Sequence, residues 1–428
     1  MTSDALDVRV PGDKSLTHRA LMLAALATGR SVIRRPLIGA DTESTATALR
    51  ALGCTVPALD GDVVITGVGL RGLRAPAAPI DCGNSGTTTR LLLGILAGQR
   101  FAAELTGDAS LRSRPMRRVT EPLSRMGARF DELDEADRLP IRVHGGILHA
   151  LDYESPHASA QVKSAILLAA LCAGVDASVT EPSLSRDHTE RMLSRMGVPI
   201  ERSPLDDGRA RAGLRAVDRV DAFEFDVPGD FSSAACGIAL ALLAADEPVR
   251  VRAVGLNPTR TGMLDVLRRM GADVRVENER ESCGEPLGDV VAERSRLVAT
   301  RIGGDEVPSL IDEIPIIAML AARAEGTTVI EGAGELRVKE SDRIAAVVAN
   351  LRAVGADAHE RADGLEICGS DRPLQGTVAA MHDHRIAMAF GVLAAAGGDR
   401  RITIDDRDVV AVSYPEFWTM LDSVTRAP

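Results

Sequence analysis

A chain of 428 residues exceeds one ordinary hydrophobic core, so two or more domains are expected. Hydrophobic residues make up 45% and charged residues 26%, a globular balance that excludes disorder, and with aromatics at 2% the core must be built from Ala and Leu. A net charge of −11 excludes a broad basic face for nucleic acid, so anions must be met in a local basic pocket.

The N-terminus shows no charged-then-apolar leader. The longest uncharged apolar run, residues 234–245, is too short to span a bilayer, and a cytoplasmic protein is expected. The six cysteines (Cys54, Cys82, Cys172, Cys236, Cys283, Cys368) form no CxxC pair and read as reduced core thiols.

Taken in order, the chain repeats one theme six times. A polar start opens an apolar helix at Lys14 (KSLTHRALMLAALA), Asn84 (NSGTTTRLLLGILA), Ser159 (SAQVKSAILLAALCA), Phe231 (FSSAACGIALALLAA), Ile311 (IDEIPIIAMLAARA) and Asp383 (DHRIAMAFGVLAAA). A short alternating strand follows each: SVI, FAAEL, SVT, VRVRAV, TTVIEG and RITID. Next comes a second helix with its own polar start: GADTEST, SLRSRPM, SRDHTER, NPTRTGM, VKESDRI and finally SYPEFW. Five of these second helices end before a glycine (Gly53, Gly127, Gly197, Gly271, Gly355), where a C′ position with positive φ is expected.

The unit is thus about 70 residues of helix, strand, helix, strand, strand, and six units make two domains of three. The sixth stops at PEFWTMLDSV, and LDVRV near the N-terminus is expected to supply its missing strand. The predicted domains are 13–226, and a discontinuous one of 1–12 plus 227–428, with crossovers at the two PGD signals, 11–13 and 228–230.

The first helices are too apolar to be surface helices and should be buried. Their N-terminal N–H groups and dipoles favour anions. If the three helices of each domain run parallel, both sets aim at an interdomain cleft, and the polar starts become candidate site residues. These are Lys14, Ser15 and Arg19; the turn Asn84, Ser85, Gly86, Thr87 with Arg90; and the arginines at 112, 114, 117 and 118. Ser159, Gln161 and Lys163 add donors, as do Arg186, Asp187 and His188. Asp312 and Glu313 interrupt an apolar run, and His384 and Arg385 open the last apolar helix. The segment ELRVKESDR (335–343) carries Lys339, Glu340, Asp342 and Arg343; alone it reads first as a solvated first helical turn, and as a catalytic or ligand-binding turn only in the company of the other units. No phosphate-loop, nucleophile-elbow or metal-ligand spacing occurs. Such donors suit a substrate carrying phosphate and carboxylate, with Asp, Glu and Lys left for proton transfer.

In this order, PGDKSLTHRA, GNSGTTTR, GDASLRSRPM, SAQVKSA, SRDHTE, IDEIP, RVKESDR and DHRIAMA resemble the 5-enolpyruvylshikimate-3-phosphate (EPSP) synthase family across essentially the whole chain. The resemblance implies an α/β (α+β) fold: a two-domain inside-out barrel of six βαβαββ-type repeats around parallel buried helices. It implies transfer of the enolpyruvyl group of phosphoenolpyruvate (PEP) to the 5-hydroxyl of shikimate 3-phosphate (S3P), with release of phosphate. No metal or organic cofactor, a monomer, and inhibition by glyphosate are implied as well. By resemblance, S3P is held by Lys14, Ser15, Arg19, Ser159, Gln161, Ser185, Arg186, Asp312 and Lys339. PEP is held by Lys14, Asn84, Gly86, Arg114, Gln161, Lys339, Arg343, His384 and Arg385. Asp312 takes the hydroxyl proton, Glu340 and Lys14 share proton transfer at PEP, and Asp342 caps or orients its neighbours.

The chain departs from the best-known pattern at Ala160 (often Ser), His188 (Tyr in some members), Glu335 (Asn) and Val412 (Lys in some members). Two rivals fit less well. A UDP-N-acetylglucosamine enolpyruvyl transferase would show a KNA start and a Cys-bearing loop, whereas this chain has KSLTHR and GDASLRSRP. A non-catalytic anion-binding repeat protein leaves the carboxylates among the cations unexplained.

Overall fold

The computed structural model describes residues 5–397 and 401–425. The ends of the predicted domains at 1–4 and 426–428, and residues 398–400 within one of them, lie outside the described residues.

In chain order, β1 (Leu6–Val8) precedes α1 (Lys14–Leu26), β2 (Thr28–Arg34), α2 (Ala40–Ala51), β3 (Val63–Val68) and β4 (Ile80–Asp81). Then come α3 (Gly86–Ala97), β5 (Ala102–Thr106), the single turn α4 (Ala109–Arg112), α5 (Arg117–Arg125), β6 (Arg129–Glu132), β7 (Ile141–His144) and β8 (Leu151–Glu154). They are followed by α6 (Ala160–Ala173), β9 (Ala177–Glu181), α7 (His188–Arg195), β10 (Ile200–Pro204), β11 (Ala210–Leu214) and β12 (Glu224–Asp226). Beyond these lie α8 (Phe231–Ala244), β13 (Val249–Gly255), α9 (Gly262–Arg269), β14 (Asp273–Ser282), β15 (Glu285–Glu293) and β16 (Arg301–Ile302). The last run holds α10 (Ile314–Ala321), β17 (Thr327–Ile330), α11 (Arg343–Ala353), β18 (Asp357–Arg361), β19 (Gly364–Cys368), β20 (Gly376–Val378), α12 (His384–Ala396), β21 (Ile402–Ile404) and α13 (Phe417–Thr425). Among the described residues no helix is long and apolar enough to cross a membrane.

Two compact units divide the chain. One comprises the stretch ending at Pro11, Pro228–Arg280 and the stretch from Pro286; the other comprises Gly12–Val227 with Glu281–Glu285. The second unit thus takes seven residues that the sequence reading placed in the discontinuous domain, Gly12 and Val227 at the boundaries and the insert Glu281–Glu285. The bonds of the insert explain its place: Ser282 Oγ accepts from Asp226 N at 3.1 Å, and Glu285 Oε1 lies 2.9 Å from His188 Nδ1.

Among the described residues four of the repeats have a four-stranded sheet, while that of the first, β12–β2–β3, has three strands. The strand before the apolar helix pairs in parallel with the strand after it, and the two later strands add antiparallel, as in β4–β5–β7–β6 and β8–β9–β11–β10. The same pattern gives β16–β17–β19–β18. One expectation fails. The sixth sheet contains only β20 and β21 among the described residues, and β1 does not complete it. Instead β1 pairs in parallel with β13, in the fourth repeat, while β12 pairs in parallel with β2, in the first. The two strands that lead into PGD have exchanged places, and a local pattern of hydrophobic residues does not specify which neighbour a short strand takes.

Caps explain why the helices begin where they do. Side-chain oxygens of Asp13, Ser85, Ser159, Asp230 and Asp383 accept from backbone N–H groups in the first turns of α1, α3, α6, α8 and α12. Almost every residue of these helices after the first turn is buried, in one apolar core for each unit. Where α3 meets α6, a Cβ at Gly94 would lie 2.2 Å from Ala165 O, so only glycine admits this approach. The five predicted C′ glycines all take positive φ, from 81° at Gly271 to 110° at Gly127. The thiol reading needs one correction: five cysteines are buried, but Cys368, the last residue of β19, is exposed.

Candidate active site

In the unit built on Gly12–Val227, the starts of α1, α3 and α6 carry the predicted groups. Lys14 Nζ lies 3.1 Å from Asp41 Oδ2, with only 19% of the lysine side chain exposed, so the cation is held rather than solvated. Ser15 is half-buried beside it, and its carbonyl accepts from Arg19 Nη1 at 2.9 Å. Arg19 is buried and fixed by Thr189 Oγ1 (2.8 Å) and Ser164 Oγ (3.0 Å).

The GNSGTT turn is knitted to its surroundings. Asn84 donates to Asp108 Oδ2 at 2.7 Å and accepts from Arg114 Nη2 at 2.6 Å. Gln161 accepts from Arg90 Nη1 at 2.8 Å and donates to Thr87 Oγ1 at 3.1 Å, tying α6 to α3. Gly86 opens α3, and a Cβ there would lie 2.9 Å from Arg90 Nη1 and 3.3 Å from Arg114 Nη1. The absence of a side chain is what lets both guanidinium groups reach the helix start. Arg112, by contrast, pairs at the surface with Asp134, a solvated role.

At the start of α6, Glu181 gathers two predicted residues. Its carboxylate accepts from Ser159 N at 2.7 Å and from Ser185 Oγ at 2.7 and 2.8 Å. Arg186 is half-buried next to Asp187, which Arg191 (2.8 Å) and Arg202 (3.0 Å) hold. His188 is buried against Glu285.

Behind the α3 turn runs a buried hydrogen-bond chain. Thr88 Oγ1 gives its proton to Ser85 Oγ (2.7 Å), so Thr45 must donate to Thr88 (2.6 Å) and His18 Nδ1–H to Thr45 (2.7 Å). His18 is therefore the neutral Nδ1–H tautomer, and burial pushes its pKa down to about 3, against the smaller opposing charge of Asp41. An unfolded chain takes up a proton here near the ordinary value of about 6.5, and the folded one does not. Stability is full above that value and falls with pH toward about 3. Between pH 6.5 and 4 this site is expected to cost roughly 3 kcal/mol, at about 1.4 kcal/mol per pKa unit. Urea unfolding across that window should give a flatter pH profile for His18→Gln than for the parent; parallel profiles would contradict the assignment.

In the other unit, three carboxylates converge on Arg343, the first residue of α11, whose side chain is 1% exposed. Its Nε and Nη2 bind both oxygens of Asp383 at 2.8 and 3.2 Å, Nη2 reaches Glu340 at 2.7 Å, and Nη1 reaches Asp312 at 3.5 Å. Burial alone would lower the guanidinium pKa, but Glu340, Asp383 and Asp312 raise it further, so the cation is secure. Burial likewise pushes the Asp383 carboxyl up, and Arg343 more than reverses this, leaving it below the ordinary carboxylate range. Asp383 also accepts from Ser341 Oγ at 2.9 Å and caps α12 through Arg385 N at 2.9 Å, so His384 (buried) and Arg385 (half-buried) are placed by the same carboxylate.

ELRVKESDR does not itself begin a regular helix. Gly334–Val338 is a 3-10 turn, and the helix starts only at Arg343, after Asp342 caps it by accepting from Ala345 N at 3.1 Å. Lys339 and Glu340 sit half-buried between the two, while Glu335 is exposed. Glu313 accepts a hydrogen bond from Ser232, so the IDE pair divides: one carboxylate goes to the serine and the other toward Arg343.

Three residues that hold the clusters together escaped the sequence reading as site groups: Asp41, Glu181 and Asp383. Asp383 had a usable signal, an Asp directly before an apolar helix, which is a cap position. The other two become visible only through their long-range partners.

The EPSP synthase (3-phosphoshikimate 1-carboxyvinyltransferase) family model matches residues 5–421. The chain is 50% identical over 414 residues to a 3-phosphoshikimate 1-carboxyvinyltransferase from Synechococcus sp. (strain JA-3-3Ab), covering 96% of this chain and 92% of that one. It is 45% identical over 421 residues to the enzyme of the same name from Bacillus subtilis (strain 168), covering 98% and 97%. Among solved structures it is similar to EPSP synthase from Acinetobacter baumannii, with 41% identity, a TM-score of 0.85 and coverage of 98% and 96%.

Proposed function

This chain belongs to the EPSP synthase family, and from that membership we propose a division of labour among its residues. The reaction is transfer of the enolpyruvyl group of PEP to the 5-hydroxyl of S3P, with release of phosphate. S3P is held by Lys14, Ser15, Arg19, Ser159, Gln161, Ser185, Arg186, Asp312 and Lys339. PEP is held by Lys14, Asn84, Gly86, Arg114, Gln161, Lys339, Arg343, His384 and Arg385. Both ligands are anionic, and guanidinium forks suit their phosphate and carboxylate groups.

In the addition step the PEP methylene carbon takes a proton, a transfer shared by Glu340 and Lys14, and C2 gains cationic character. Asp312 takes the proton of the 5-hydroxyl as its oxygen bonds to C2. The tetrahedral intermediate then loses phosphate, and a methyl proton returns to the protein, restoring the double bond. The observation that carries this reading is the meeting of Glu340 and Asp312 on one buried arginine, in a chain matched to the family over nearly its full length. No metal or organic cofactor is called on. We take the enzyme to work as a cytoplasmic monomer.

The test is phosphate release from PEP with S3P or with UDP-N-acetylglucosamine as acceptor. Release with S3P alone is expected. Release only with the UDP-sugar would favour the related transferase, and none with either would favour an anion-binding protein. Glyphosate is expected to compete with PEP. Because a Cβ at position 86 would press on Arg90 and Arg114, Gly86→Ala should raise the PEP KM several-fold and weaken glyphosate inhibition more strongly. Inhibition curves at varied PEP decide this; unchanged inhibition would remove Gly86 from the PEP site.

A further inference from the structure

Lys163 lies in the apolar helix α6, 2% exposed, between two carboxylates that are equally buried. Its Nζ is 2.9 Å from Glu181 Oε2, 2.8 Å from Glu190 Oε1 and 3.4 Å from the carbonyl of Ser185. Burial alone would pull the ammonium down, but Glu190 and Glu181 more than offset it, and its pKa ends above the ordinary lysine value. A buried ion cluster is a poor source of stability, because well-packed apolar side chains serve as well or better. Nothing in the reaction as described uses these three charges, yet one of them is bonded to two of the residues proposed to hold S3P.

That one is Glu181, which fixes the backbone of Ser159 and the hydroxyl of Ser185. A carboxylate so close to the groups that meet a phosphorylated substrate would repel it unless its charge were balanced. The nearest cation able to balance it is Lys163, while Glu190 lies beside Thr189, the partner of Arg19 Nε. We propose that Lys163 is a positioning residue of the S3P site: it neutralises Glu181, so that this carboxylate can lock Ser159 and Ser185 without repelling the anionic substrate. The proposal rests on the assignment of Ser159 and Ser185 to S3P given above.

Steady-state kinetics with S3P and PEP varied separately test it. Lys163→Met should raise the S3P KM about 10- to 100-fold, since leaving one buried charge unpaired costs more than one tenfold step. The PEP KM and kcat should stay within about threefold, as the groups assigned to them are untouched. Lys163→Arg, which keeps the charge, should stay near the parent. In the Lys163→Met/Glu181→Gln double variant, removing the carboxylate that touches Ser159 and Ser185 should recover part of the lost S3P affinity, the remainder being the charge of Glu190 left without its lysine. If Lys163→Met does not fold, Glu181→Gln alone decides: a rise in S3P KM of several-fold with PEP KM unchanged supports the proposal, and an unchanged S3P KM overturns it. A parent enzyme that turns over normally, while Lys163→Met alters both KM values alike or lowers only the unfolding midpoint, overturns this proposal and leaves the function intact. No turnover of S3P by the parent overturns both.

Discussion

Arg343→Met is expected to lose about 3–5 kcal/mol of stability, the cost of stripping the partner from a buried charge. The same variant should turn over about 10²- to 10³-fold more slowly, as when one fixed electrostatic donor is removed from an active site. Both losses have one cause. Asp383 is fully buried, caps α12 and depends on Arg343 for its charge, so the variant must either bury a bare carboxylate or protonate it. At the same time Glu340 loses the guanidinium 2.7 Å away. The stabilising share of the Asp383 pair is present above the ordinary aspartate pKa of about 3.9 and is lost as pH falls through the depressed folded value. Urea unfolding at pH 7 and pH 3 should therefore separate the variant from the parent widely at the first and much less at the second. Arg343→Lys should recover only part of the loss, because one ammonium cannot fork onto three carboxylates. A variant within about 1 kcal/mol of the parent at pH 7 would show that the cluster is not coupled as the geometry implies.

What the sequence disclosed, and what it withheld, follows the range of the forces involved. Capping and C′ glycines act over three or four residues, so the starts of α1, α3, α6, α8 and α12 and the five helix-ending glycines were legible one by one. The sixfold repeat was legible because each unit spells the same pattern again. Strand partners were not, since β1 and β12 are three residues each and their alternation fits either parallel neighbour. The same limit governs the site. Lys163 stands out locally as a charge inside an apolar helix, but its partners arrive from the end of β9 and from α7, and no spacing connects them. The segment 335–343 shows both sides at once. Its charges were visible, yet only the folded chain separates the exposed Glu335 from Glu340, half-buried against Arg343.

That separation gives the sharpest test of the chemistry. Glu340→Gln and Asp312→Asn each keep the shape of the side chain and remove its proton-accepting charge. Each should lower kcat about 10²- to 10⁴-fold, the usual worth of a placed general acid or base. Stability should move far less than for Arg343→Met, because Asp383 keeps its arginine and both carboxylates are partly exposed, at 28% and 16%. The two variants should fail at different bonds. With Glu340 gone, the PEP methylene would lose one of the two groups proposed to protonate it, so PEP recovered from D₂O with S3P present should carry less deuterium than with the parent. With Asp312 gone, protonation remains possible while attack by the hydroxyl is slow, so the methylene should exchange faster than product forms. Mass spectrometry of recovered PEP reads this directly. If Glu340→Gln kept kcat within about threefold, Glu340 would be only a counter-ion to Arg343. The proton at PEP would then have to come from Lys14, the group held by Asp41 at 3.1 Å, and Lys14→Met would become the variant that abolishes exchange.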